Sequence, residues 1–337
     1  MKTMKVMRVF GPKDLRVVDA PVPDPGPGYV RVKVRASGIC GSDKGLWNVP
    51  REMDSVAGHE AAGEVELLGE GVASLAVGDR VMVNNVTGCG ACPACRAGAS
   101  VLCADRDGMQ DVNNGFGEYL VAPARNCLRL HQSLDFIDGA LIMDNWSTPY
   151  GGIRRAGLQQ GMDVLVSGCG PIGQAAIGLL KALGMYVIAV DPVEWRRKFA
   201  LKNGADKTLA PDQLPEGARS LTDGLGVHAV LECSGKGAAY ENCIKSLRIK
   251  GDFVSIGENA EFTLRPSDQV IRRALRISGT WYSTFPLASE VAQMAMQGRI
   301  NLRSFLTHTV PLEKAPEIFG SIVNCDEGHM KCVIVFE

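Results

Sequence analysis

Apolar positions recur along this chain with two different periods, and the change from one to the other divides it. In residues 6–36 apolar side chains fall on alternate positions, as at Val30, Val32 and Val34, the period of a strand with one buried face. Pro21, Pro23, Pro25 and Pro27 predict a stiff extended link between two such runs. Gly- and Val-rich segments with frequent turns continue to about Leu130, so this part is expected to be mostly β and barrel-like. From Ser133 to Gly157 the spacing turns helical, with Phe136, Ile137, Ala140, Leu141 and Met143 on the apolar positions.

From about residue 148 to 281 the two periods alternate. Strands are expected at Val164–Val166, Tyr186–Val190, Val227–Leu231, Phe253–Gly257 and Leu275–Trp281. A helix carrying Ile172, Ala176, Leu179, Leu180 and Leu183 follows the first strand. A second spans Val193–Asn203 with Gly204 as its stop, and a third ends near Leu247. Such alternation predicts an α/β doubly wound parallel sheet. Helices at Leu287–Gln297 and Leu312–Ser321 and a strand at Lys331–Val335 close the chain.

The first strand–helix junction reads Gly168-Cys169-Gly170-Pro171-Ile172-Gly173, the spacing G-x-G-x-x-G. By itself this is a weak signal. Here a strand precedes it, a helix follows, and the next strand ends in Asp191, 18 residues after the last glycine. The combination predicts a dinucleotide site. The glycines let the backbone turn and approach a pyrophosphate, and the helix N-terminus offers N–H groups and a favourable dipole to it. Asp191 is placed to accept both hydroxyls of the adenosine ribose and to disfavour a 2′-phosphate, so NAD is expected over NADP. Arg196 and Arg197 follow and could weaken that discrimination. Ser234, Ile256 and Gly257 lie at strand ends where the nicotinamide half would sit.

The chain has 337 residues and a net charge of −1, which gives two domains room to form and offers no electrostatic case for nucleic acid or membrane binding. No apolar run has the length of a membrane span, and MKTMKVMRVF does not read as a secretory signal, so a cytoplasmic protein is expected. Eleven cysteines, an odd count, are then better read as thiols than as disulfides. Four of them, Cys89, Cys92, Cys95 and Cys103, are spaced C-x2-C-x2-C-x7-C, with Gly88, Gly90 and Gly98 allowing the turns. Four thiolates this close suit a tetrahedral structural zinc in a lobe of about residues 86–104; an iron–sulfur centre or two disulfides are the alternatives.

The order of these motifs resembles the zinc-dependent medium-chain dehydrogenase/reductase family, on its alcohol, sorbitol and threonine dehydrogenase side. The resemblance rests on Cys40-Gly41-Ser42-Asp43, Gly58-His59-Glu60 with Gly63, Gly78-Asp79-Arg80-Val81, the four-cysteine cluster and the glycine loop, and it covers essentially the whole chain. It implies a GroES-like catalytic domain over 1–147, a Rossmann domain inserted at 148–281, and a return to the catalytic domain over 282–337. It also implies two zinc ions per chain. Cys40 and His59 match the catalytic-zinc ligands, Asp144 falls at the third, and Glu60 matches a nearby or transient fourth. Ser42 matches the hydroxyl that receives the alcohol's proton; the histidine that commonly follows three residues later is Gly45 here. His131, His228, His308 and His329 match no ligand.

The implied function is an NAD-dependent zinc oxidoreductase, in which the metal polarises a substrate oxygen and hydride passes to the nicotinamide. A homo-oligomer, a tetramer before a dimer, is expected. Polyol-oxidising relatives often carry an Arg just before a Tyr after the Rossmann strands, whereas this chain has Trp281-Tyr282. With Trp47, Phe116, Trp146 and Phe285 as further pocket-wall candidates placed by the resemblance, and Asn113 and Asn114 as polar ones, the expected substrate is a secondary alcohol, cyclic ones included, before a polyol. The competing readings are a sugar-alcohol or threonine-type dehydrogenase, a zinc-independent reductase, and a non-enzymatic relative.

Overall fold

The computed structural model describes residues 2–105, 112–259 and 261–337. The chain divides into two compact units. One comprises Met1–Asp144, Ser283–Ala292 and Leu306–Glu337, and the other Asn145–Tyr282 and Gln293–Phe305. The return of Gln293–Phe305 to the second unit was not expected from sequence. Its physical basis is Trp146, whose indole N–H donates to Leu302 O at 3.0 Å and whose ring packs against Phe305 at 5.6 Å between centroids.

The first unit is mainly β. Thr3–Gly11 and Asp14–Pro21 pair as an antiparallel hairpin, and the proline-rich link leads to Tyr29–Ile39. That strand alternates as its sequence predicts: Val30, Val32 and Val34 are fully buried, while Arg31 and Arg35 turn outward onto Glu66 and Glu64 of the neighbouring strand. Around it a seven-stranded sheet runs in the order His308–Pro311, Cys332–Val335, Tyr29–Ile39, Glu60–Leu68, Arg80–Val83, Cys127–Arg129, with Tyr119–Pro123 also paired to Tyr29–Ile39. The part of the expected β run that falls on 106–111 lies outside the described residues.

The second unit is a doubly wound sheet. Its six strands lie in the order Lys207–Leu209, Tyr186–Val190, Asp163–Ser167, Val227–Glu232, Leu247–Ser255, Arg276–Gly279, and every pairing is parallel. Strands covered on both faces read as continuous apolar runs, and Val164, Leu165 and Val166 are fully buried. Lys207–Leu209 and His308–Pro311 were not expected as strands. At three and four residues they carry no periodic pattern, and their neighbours in the sheet decide them. The strand expected at Phe253–Gly257 begins earlier, at Leu247, directly after the helix Gly237–Ser246. The last long helix is Ala315–Asn324, preceded by a tight turn at Leu312–Lys314. Among the described residues no helix is long and apolar enough to cross a membrane.

Candidate active site and dinucleotide site

In the first unit three stretches of chain meet. Cys40 follows the strand Tyr29–Ile39, His59 precedes Glu60–Leu68, and these two strands pair antiparallel with Gly38 opposite Glu60. Asp144 lies on a π turn, Ile142–Trp146, between the helices Phe136–Leu141 and Ser147–Ala156. Such wide turns recur at functional sites because the extra residue re-aims a side chain.

Asp144 Oδ2 is 3.4 Å from Cys40 Sγ and 3.4 Å from His59 Nε2. Glu60 joins the group, and one donor atom from each of the four residues lies within 4.8 Å of the others. A tetrahedral zinc with bonds of about 2.0–2.3 Å separates its ligand atoms by roughly 3.3–3.8 Å, so the donor spacing and the thiol, imidazole and carboxylate set both fit that ion.

The charges of this pocket are tightly linked. Burial pushes the Cys40 thiol up to about 11, with the Asp144 and Glu60 carboxylates adding to the effect. Burial works against a charged His59. Its hydrogen bonds with Asp144 and Cys40 and the charges of Cys40 and Asp43 outweigh it, and the imidazole is held well above its ordinary value. A cation in the pocket would relieve this cost, because metal ligation takes thiolate and neutral imidazole directly.

Two residues around this set were not singled out for a role from sequence. Asp43 is 4% exposed; its Oδ2 accepts the Cys40 backbone N–H at 2.8 Å and its Oδ1 faces His59 Nδ1 at 3.6 Å. A carboxylate behind a ligating histidine fixes ring orientation and tautomer. Burial pushes Asp43 up to about 6, against the His59 charge. Lys331, just before the final strand, places its ammonium on both oxygens of Glu60 at 2.8 and 2.6 Å. Only the D of Cys40-Gly41-Ser42-Asp43 gave a sequence signal for the first. Nothing local marks the second, because it depends on strand register. Ser42 is exposed in the turn Gly41–Asp43, and a Cβ on Gly45 would meet nothing within 4 Å.

The four-cysteine lobe forms a second cluster, with one sulfur of each residue within 4.8 Å of the others. Cys92 and Cys103 sulfurs are 3.9 Å apart, well beyond a disulfide and near the edge of a zinc tetrathiolate. All eleven cysteines are free thiols. Backbone N–H groups of Ala91 and Cys92 point at Cys89 Sγ at 3.4 and 3.3 Å and lower its pKa to about 7.

In the second unit the glycine loop has the shape its spacing predicts. A Cβ on Gly173 would sit 1.9 Å from Gly168 O, so helix and strand approach as only glycine allows. A Cβ on Gly170 would meet nothing within 4 Å, which leaves open space at the N-terminus of the helix Pro171–Ala182, where no side chain caps the free N–H groups. Pro171 and Ile172 form the first turn of that helix. Asp191 is 3% exposed; its oxygens accept the backbone N–H of Cys169 and of Val193, each at 2.8 Å. Arg197 donates to Asp191 O and Pro192 O, while the Arg196 guanidinium lies over the Trp195 ring. Glu232, fully buried at the end of its strand, accepts from Ser234 N and Gly235 N at 2.9 and 3.1 Å and also from the Ser234 hydroxyl. Its backbone oxygen accepts from both Ile256 N and Gly257 N at 2.8 Å. The strand-end residues Ser234, Ile256 and Gly257 thus share one anchor.

The aromatic pocket candidates divide. Phe116 is 1% exposed and meets Phe319 edge-on at 6.0 Å, and Trp146 is fully buried against Phe305. Both are core residues rather than pocket walls: a ring facing an empty pocket would keep accessible surface. Trp47 is half-buried on Phe319 at 5.9 Å and Gly320. Trp281 is 44% exposed in the second unit. Asn114 adopts a left-handed φ of 78°.

Comparison with known proteins shows the family. Residues 26–132 match the alcohol dehydrogenase GroES-like domain family and residues 171–297 the zinc-binding dehydrogenase family. L-Threonine 3-dehydrogenase of Pyrococcus horikoshii is 32% identical over 91% of each chain. Human sorbitol dehydrogenase is 32% identical over 92% of this chain and 90% of its own. Among solved structures, an alcohol dehydrogenase of Escherichia coli CFT073 complexed with NADH superposes over 100% of both chains with a TM-score of 0.88 and 26% identity. A zinc-binding dehydrogenase of Sinorhizobium meliloti 1021 bound to NADP covers 100% of both with a TM-score of 0.85 and 25% identity. The chain belongs to the zinc-dependent medium-chain dehydrogenase/reductase family, and it is an oxidoreductase of the alcohol dehydrogenase type.

Proposed function

We propose that this protein is an NAD-dependent zinc dehydrogenase that interconverts a secondary alcohol, cyclic ones included, and its ketone, with one catalytic and one structural zinc per chain. The observation that carries the reading is the convergence of Cys40, His59 and Asp144 at spacings of 3.4 Å about Asp144 Oδ2. Two thiolate or carboxylate charges and one imidazole would hold a dication and leave a position open. When bound, the metal supplies Lewis acidity to the substrate oxygen and the nicotinamide accepts hydride.

The chain's own residues do the rest. Asp43 orients His59 and the Cys40 backbone. Ser42, exposed beside Cys40, takes the alcohol's proton at Oγ. Gly45 brings no side chain to carry that proton further. The free N–H groups at the start of Pro171–Ala182 hold a pyrophosphate, and Asp191, already fixed by two backbone donors, takes the ribose hydroxyls with its remaining lone pairs. The Arg197 hydrogen bonds to backbone carbonyls and the Arg196 guanidinium over the Trp195 ring support the reading that these two arginines leave the preference in place. Trp281, exposed where polyol-oxidising relatives often carry arginine, supports an alcohol with few free hydroxyls. A homo-oligomer, a tetramer before a dimer, is part of the same reading.

Metal analysis combined with turnover on a panel of secondary alcohols, cyclic alcohols, threonine, sorbitol and xylitol, each with NAD and with NADP, tests it. About two zinc per chain and the highest kcat/KM on a secondary or cyclic alcohol with NAD are expected. One zinc in fully active protein, or a clear preference for polyols, would defeat the assignment.

A further inference from the structure

The six-stranded sheet changes its winding direction between Asp163–Ser167 and Val227–Glu232. The strands that follow the first run out to one edge, and those that follow the second run out to the other. A dinucleotide lies across the carboxyl ends of the strands at such a point. With its adenosine ribose at Asp191 and its pyrophosphate at the start of Pro171–Ala182, its other half would continue over the ends of Val227–Glu232 and Leu247–Ser255.

Glu232 ends the first of these two strands, in register with Ser167 on one side and Ser255 on the other. It is 0% exposed. Its Oε1 takes hydrogen bonds from Ser234 N at 2.9 Å, from the Ser234 hydroxyl and, more weakly, from the Ser167 hydroxyl at 3.4 Å. Its Oε2 takes Gly235 N at 3.1 Å. Both oxygens thus face a backbone N–H, a group that can only donate, so the place is built for a carboxylate and not for its amide. Burial raises its pKa, and the Ser234 and Gly235 hydrogen bonds work against that shift.

An acid this deep is costly, and a shorter polar side chain could hold a single turn. Glu232 holds two. Its carboxylate fixes Cys233–Gly235, and its backbone oxygen takes Ile256 N and Gly257 N. The two turns are pressed together, because a Cβ on Gly257 would overlap Gly235 N. The glycine loop has supports of its own. Asp191 accepts Cys169 N at 2.8 Å, the Gln174 amide donates to Cys169 O at 3.1 Å, and Gly168 N donates to Val190 O at 2.8 Å.

We propose that Glu232 is a positioning residue for the dinucleotide: by setting Cys233–Gly235 against Ile256–Gly257 it shapes the surface that receives the nicotinamide half, while the adenosine and pyrophosphate half is held independently. This rests on the dinucleotide reading of the glycine loop and Asp191.

The test uses the full-length protein and titration calorimetry with two probes, NADH and ADP-ribose, the second lacking only the nicotinamide. Glu232→Gln keeps the size of the side chain but turns one acceptor into a donor facing a backbone N–H. NADH binding should weaken about tenfold, the effect of one hydrogen bond lost to a charged group, while ADP-ribose binds as it does to wild type. Glu232→Asp keeps the charge but falls one methylene short of the turn, and it carries the same comparison where Glu232→Gln does not fold. Equal losses for the two probes would make Glu232 a general support of the unit and overturn the proposal. Unchanged NADH binding would overturn it as well. A wild type that binds neither probe overturns the dinucleotide reading itself, and that outcome is seen before any variant is made.

Discussion

The Asp191 carboxylate accepts the backbone N–H of Cys169 at 2.8 Å, tying the acid at the end of one strand to the glycine loop at the end of its neighbour. Asp191 therefore shapes the loop, besides the ribose-binding role proposed for it.

Asp191→Gly should then raise KM for NAD by about tenfold or more, the cost of one or two lost hydrogen bonds to a charged group. It should narrow the NAD/NADP preference and lower thermal stability through the freed loop. Steady-state kinetics with both dinucleotides and a melting curve check this. An unchanged cofactor preference would place the discrimination elsewhere, with Arg196→Ala as the next variant.

Asp144 and Glu60 are distinguishable as third ligand. Asp144→Ala should lower zinc from about two to about one per chain and abolish most turnover, with the circular dichroism spectrum unchanged. Full zinc content and near-normal turnover in Asp144→Ala would make Glu60 the third ligand.

Asp43 should matter without touching the metal. Asp43→Ala frees the Cys40 N–H and the His59 ring, and catalytic zinc affinity is expected to fall about 10–100-fold while the four-cysteine ion stays bound. Competition with a chromogenic chelator measures both ions. Equal zinc affinity in variant and wild type would show that Asp43 only caps its turn.

Trp146 was read from sequence as a pocket candidate and lies in the core instead. Trp146→Ala should cost about 3–5 kcal/mol of stability through the cavity it leaves. The ranking of substrates by kcat/KM should stay the same. Denaturant titration gives the first quantity and the alcohol panel the second. A reordered panel with unchanged stability would return Trp146 to the pocket.

What the sequence determined by itself follows from local spacing. Gly168, Gly170 and Gly173 between an apolar run and a helical one, with Asp191 ending the next strand, together point to a dinucleotide turn, which none of these signals does alone. Cys89, Cys92, Cys95 and Cys103 lie close enough in the chain for their thiols to meet. The alternation of Val30, Val32 and Val34 marks a one-faced strand, and the uninterrupted Val164–Val166 a two-faced one.

Tertiary structure decided what depends on register and on distant partners. Asp144 is one acid among many until a π turn aims it at Cys40 and His59. Lys331 reads as a strand-edge lysine until three paired strands seat it against Glu60, 271 residues away in the chain. Phe116 and Trp146 are apolar positions whose composition is the same for a core and for a pocket wall, and packing against Phe319 and Phe305 makes them core. The strands Lys207–Leu209 and His308–Pro311 carry no pattern of their own, because at that length the hydrogen-bonding edge beside a strand, rather than its side chains, determines that it forms.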